Sequence, residues 1–85
     1  MTVMPAPAYE VSADRTRNNH NEWEWLLNDG RWGTPCLAMP ARRFRNQSAA
    51  AAAWTATHDL LPRPGTWRGS IYRSNETGPP VRNLP

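Results

Sequence analysis

The sequence predicts an α+β fold of the ferredoxin-like type, βαββαβ, with two helices on one face of a small antiparallel sheet. Three observations point there. The run Ser48 to Trp54 is almost pure alanine, which orders into a helix at no side-chain entropy cost, and Pro62-Arg63-Pro64-Gly65 stops it. Beyond that stop, Thr66 to Ser74 alternates, placing Trp67, Gly69 and Ile71 on one face of a strand and Arg68, Ser70 and Tyr72 on the other. The third is an internal likeness. Ala13-Asp14-Arg15-Thr16-Arg17-Asn18 agrees with Ala41-Arg42-Arg43-Phe44-Arg45-Asn46 at four positions, and each is followed by a tryptophan, a Leu-Leu pair and a glycine leading into a further tryptophan. A duplicated strand–helix–strand unit gives βαββαβ, although any such unit uses similar residues in similar places. Should the first helix fail, what remains is a small sheet carrying the single alanine-rich helix.

In chain order, Met1 to Ala8 is proline-containing and unpatterned and is expected as a flexible N-terminal tail. Tyr9, Val11 and Ala13 alternate with polar residues, so a strand ending near Arg17 is expected, with a turn over residues 18–21. Asn21 with Glu24 resembles a capping box, and Trp23, Leu26 and Leu27 form a helical stripe closed by Asn28-Asp29-Gly30. This segment is assigned to the first helix. The competing hairpin uses the alternation of Trp23, Trp25 and Leu27 and the Asp29-Gly30 turn. Arg31 to Met39 reads as extended and is interrupted by Pro35 and Pro40, and an Arg-rich strand is expected over Ala41 to Asn46. Asn46 or Ser48 caps the alanine helix, which should end at Leu61. Ala50, Ala53, Trp54, Thr57 and Leu61 share its inner stripe, and Trp54 is expected to fill the gap left by Gly69. The domain is thus expected over residues 9–74, followed by an extended, Pro-rich tail over 75–85.

The formal charge is +3, carried entirely by arginine. It is uneven: residues 1–40 hold three arginines against five acids, a net −2, whereas 41–85 hold seven against two, a net +5. Cys36 is the only cysteine, so no intramolecular disulfide can form. No charged segment leading into an apolar one opens the chain, and no apolar run is long enough to cross a bilayer, so a cytoplasmic protein without membrane contact is expected.

Catalytic chemistry finds little footing. His20, Cys36 and His58 stand in separate segments without nucleophile–base spacing, and one cysteine with two scattered histidines makes no zinc pattern. A lone cysteine is more often a small buried hydrophobe than a reactive thiol. No enzymatic role, no metal and no cofactor are expected. Binding has better candidates. Arg43, Arg45 and Arg68, with Tyr72 beside the last, are expected to share the outer sheet face, where guanidinium groups and an aromatic ring can hold phosphates and stack on bases. RNA-recognition domains of this topology work from such a face, but their glycine- and aromatic-rich strand motif is missing from Ala41 to Asn46. Trp25 and Trp32 are the tryptophans expected to be partly exposed, and Trp with Arg is the usual anchor pair of protein interfaces.

The layout Arg-Phe, alanine helix, Gly65-Thr66-Trp67-Arg68, Ile71-Tyr72-Arg73 resembles short proteins of GC-rich actinobacteria and their bacteriophages. The resemblance covers Ala41 to Ser74 and implies a non-enzymatic accessory protein acting on a host component. The leading expectation is therefore a small protein that occupies a host or phage protein through exposed Trp and Arg side chains. A nucleic-acid binder using Arg43, Arg45 and Arg68 is the alternative, and a minor structural component of a virion is a third.

Overall fold

The computed structural model describes residues 8–74, 76 and 78–85. Apart from Ala8, the expected N-terminal tail lies outside them. Five antiparallel strands form one sheet in the order β3-β2-β1-β4-β5: β1 (Tyr9–Arg17), β2 (His20–Leu26), β3 (Trp32–Gly33), β4 (Arg68–Arg73) and β5 (Arg82–Leu84). Among the described residues one α-helix forms, α1 (Gln47–Thr57), and it continues into a 3-10 turn at His58–Leu60. The fold class is α+β with one helix on a sheet, and the two-helix ferredoxin-like layout does not form.

The difference lies at residues 20–27. Asn18 and Asn19 both take positive φ, 51° and 64°, a conformation asparagine tolerates and one that matches the twist of a two-residue hairpin. That turn folds residues 20–26 back onto β1, with Arg17 opposite His20 and Ser12 opposite Trp25. Glu22 and Glu24, which would have favoured a helix start, are instead ion-pair partners on the helix-side face of the sheet. Glu22 Oε2 lies 2.7 Å from Arg15 Nε, and Glu24 Oε1 accepts from Arg63 Nη2 at 3.0 Å. Asn28 and Asp29 then make the turn from β2 to β3, closed by Gly30 N–H donating to Leu27 O at 2.9 Å.

The expected Arg-rich strand is also corrected. Residues 41–46 are coil carrying two isolated bridges, Ala41 to Leu27 and Phe44 to Tyr9. The segment fills the gap where β1 and β2 diverge, with Arg42 N–H on Leu26 O and Phe44 N–H on Tyr9 O. The matched hexapeptides, Ala13–Asn18 and Ala41–Asn46, therefore adopt different backbones, and the likeness between the halves is not a repeated structure.

The alanine helix forms as its sequence requires. Asn46 caps it, its side-chain oxygen accepting from Ala49 N–H at 2.8 Å. Ala50 and Trp54 are its buried residues, packed with Tyr9, Val11, Ala13, Leu26, Ile71 and Leu84. Trp54 occupies the gap over Gly69 as expected: a Cβ on Gly69 would sit 2.7 Å from the indole ring carbons. The end of the expected tail belongs to this core. Arg82–Leu84 pair with β4, Leu84 is buried, and Pro85 O accepts from Trp54 Nε1 at 2.9 Å. Among the described residues no helix is long and apolar enough to cross a membrane.

Candidate functional site

Alternation divides the sheet residues between two faces. The helix side takes Val11, Ala13, Ile71 and Leu84, while the other side receives Glu10, Ser12, Asp14, Trp23, Trp25, Arg68, Ser70, Tyr72 and Asn83. Register sets these in three rows across the strands. Glu10 lies opposite Tyr72; Trp25, Ser12, Ser70 and Asn83 form the middle row; Trp23, Asp14 and Arg68 form the third. Two small serines, both buried, thus make a floor between larger rings.

Trp25 and Tyr72 reach across Ser12, their ring centroids 5.4 Å apart and tilted by 50°. Trp23 is the most exposed tryptophan, at 56%. Two adjoining hollows of about 410 and 400 Å³ share Trp23 and Tyr72 as walls; Asp14, Arg68 and Asn83 border the first, Ser12, Trp25 and Glu76 the second. Arg68 Nη2 donates to Asp14 Oδ2 at 2.9 Å. Three carboxylates, Glu10, Asp14 and Glu76, border this face; Asp14 is held by Arg68 and Glu76 Oε1 lies 3.5 Å from Arg73 Nη1, so Glu10 is the one without an ion pair among the described residues.

The tryptophans also differ in their polar edge. Nε1 of Trp32, Trp54 and Trp67 donates to the carbonyls of Thr57, Pro85 and Arg63 at 2.9, 2.9 and 3.0 Å respectively. Among the described residues Trp23 and Trp25 have no such acceptor. Three indoles are structural donors, and the other two lie on the open face.

The residues singled out in the sequence separate accordingly. Trp25, Tyr72 and Arg68 come together on this face. Trp32 does not: it packs edge-on against Trp54 on the helix side, with centroids 5.9 Å apart. Arg43 and Arg45 are exposed in the coil, not in the sheet with Arg68. Trp23 was hidden by the helical reading of its segment, yet its alternation with Trp25 carries the signal that places it here. Cys36 is exposed, in a turn where Cys36 N–H donates to Met39 O at 3.0 Å, against the expectation of burial.

On the opposite side, Trp67 receives Arg15 and Arg63 over its ring, with guanidinium carbons 4.5 and 5.6 Å from the centroid. Arg15 is buried, and its Nε donates to Glu22. That hydrogen bond, opposed by partial burial and helped by the Arg15 and Arg63 charges, holds the Glu22 carboxyl below its ordinary pKa. Arg15 Nη1 donates to Pro64 O and Trp67 Nε1 to Arg63 O, which fixes residues 63–67 onto the sheet, while Arg15 Nη2 is buried with no partner among the described residues. Among the described residues no three His, Cys, Asp or Glu side chains gather in a way that could hold a metal ion.

Comparison with protein-family models, with curated proteins and with solved structures finds no match for this chain. The fold and the site define a small α+β protein that covers one sheet face with a helix and leaves aromatic side chains on the other.

Proposed function

We propose that this is a non-enzymatic binding protein whose open sheet face docks onto a protein partner through Trp23, Trp25, Tyr72 and Arg68. The observation that carries the reading is the pair of indoles whose N–H groups have no acceptor among the described residues, set beside a tyrosine on a face away from the core. Large rings with a polar edge and low conformational freedom make effective interface anchors. The accessory role on a host protein implied by the resemblance is the setting we assign to it.

The nucleic-acid alternative has weaker support. Phosphate binding needs several unpaired cations on one surface, and here Arg68 is tied to Asp14 among carboxylates while Arg43 and Arg45 lie elsewhere. The test is capture with purified protein from a GC-rich bacterial host. A partner retained by the native chain and lost on Trp23→Ala, with the circular dichroism spectrum unchanged, supports the reading. No Trp23-dependent partner, together with strong salt-sensitive retention of DNA or RNA, would reverse the ranking.

A further inference from the structure

We infer that the open face takes an extended, proline-rich segment with arginine or lysine flanks, an inference that rests on the protein-binding reading above. Polyproline II chains suit this surface for three reasons.

The first is hydrogen-bond chemistry. Proline has no amide hydrogen, so such a segment offers carbonyl acceptors in excess, and its extended helix exposes them to the outside. Trp23 and Trp25 bring donors with no acceptor among the described residues, whereas the helix-side indoles are already satisfied.

Shape is the second. The floor of Ser12 and Ser70 between the rings leaves two hollows that share Trp23 and Tyr72 as walls. Rings presented at three-residue intervals along a polyproline helix can enter such neighbouring hollows, the aromatic walls supplying flat apolar surface for each pyrrolidine. The chain's own Pro80 lines the first hollow, so a prolyl ring is already part of this surface.

Charge is the third. Of the carboxylates that border the face, Asp14 is held by Arg68 and Glu76 by Arg73, while Glu10 has no ion pair among the described residues, so the surplus charge is negative and basic flanks are favoured over acidic ones. The same balance disfavours a polyanion in this place.

The experiment uses ¹⁵N-labelled protein and a blocked Arg-Arg-Pro-Pro-Ala-Pro-Pro-Arg-Arg peptide, following the five tryptophan Nε1–H signals. Saturable shifts are expected at Trp23 and Trp25, with Trp32, Trp54 and Trp67 unmoved. Trp23→Ala should weaken binding by about tenfold or more, the scale of an interface anchor. A glutamate-flanked version of the peptide should bind several-fold more weakly than the arginine-flanked one. Any of three results overturns the inference: no shift at millimolar peptide, equal binding of the two versions, or shifts at Trp23 and Trp25 produced only by single-stranded DNA or by an oligosaccharide. If a folded partner is captured in a Trp23-dependent manner while the peptide is ignored, the ligand class falls and the protein-binding reading stands. If neither binds, both fall.

Discussion

At the scale of single residues, the fold turns on how closely Trp54 approaches the sheet. A methyl group at Gly69 meets the indole at 2.7 Å and Leu84 Cβ at 3.0 Å, and neither can withdraw without moving the helix or β5. Gly69→Ala should cost about 1–3 kcal/mol, as overpacking does, read as a lower denaturant midpoint at unchanged slope. The expectation of a gap at Gly69 filled by Trp54 came from the alternation of three residues and one helical stripe, a local pattern that tertiary packing reinforces. Glu22 supplies a pH-dependent contribution. Its folded-state pKa lies below the ordinary value of 4.5, so unfolding takes up a proton on acidification. Its contribution is complete above that ordinary value and lost as pH falls through the lower folded one. Between pH 5 and the acid limit of folding, the native protein should therefore lose stability more steeply than Glu22→Gln, measured by urea titration at each pH.

At the scale of elements, β2 shows how two valid local signals compete. Asn21 with Glu24 and the Trp23, Leu26, Leu27 stripe favour a helix; Trp23, Trp25 and the flanking turns favour a strand. The outcome is decided by groups outside the local window: Arg63 reaches Glu24 across 39 residues, and β1 supplies a pairing edge from His20 to Trp25. Neither partner is visible in a local window. The turn at Asn18-Asn19 is local, however, and its left-handed backbone can be tested by itself. Asn19→Ala should destabilise by about 1–2 kcal/mol, since a Cβ-bearing residue without a side-chain amide is penalised there. Asn19→Gly should leave the thermal midpoint unchanged or raise it. Residues 41–46 illustrate the converse error: an Arg-rich alternation looked like a strand, but its backbone is divided between two short bridges because it fills a fork and does not extend an edge.

For the whole molecule, the helix covers one sheet face and the C-terminus completes that core. Proline and glycine at 78–80 made the last residues look like a tail, yet Leu84 is buried and the final carbonyl accepts the Trp54 indole hydrogen. Only the three-dimensional closure of β4 shows this, because a three-residue strand leaves almost no periodic signature. Leu84→Ala should cost about 2–4 kcal/mol, in the range for a buried leucine truncated to alanine, and should lower the thermal midpoint. The charge asymmetry of the chain was legible, but the basic excess of the second half does not gather on the aromatic face. Arginines dominate the second half, while the aromatic face draws Glu10 and Asp14 from β1 and ties up the one arginine it contains.

All of these levels meet in the division of the five tryptophans into three with carbonyl-bound indole hydrogens and two without such a partner among the described residues. Hydrogen exchange of the Nε1–H groups, resolved by NMR in the native protein, reads that division directly. Slow exchange at Trp32, Trp54 and Trp67 with fast exchange at Trp23 and Trp25 is the expected result. Protection of Trp23 and Trp25, or rapid exchange at Trp54, would contradict the assignment of the two sheet faces and with it the proposed binding surface.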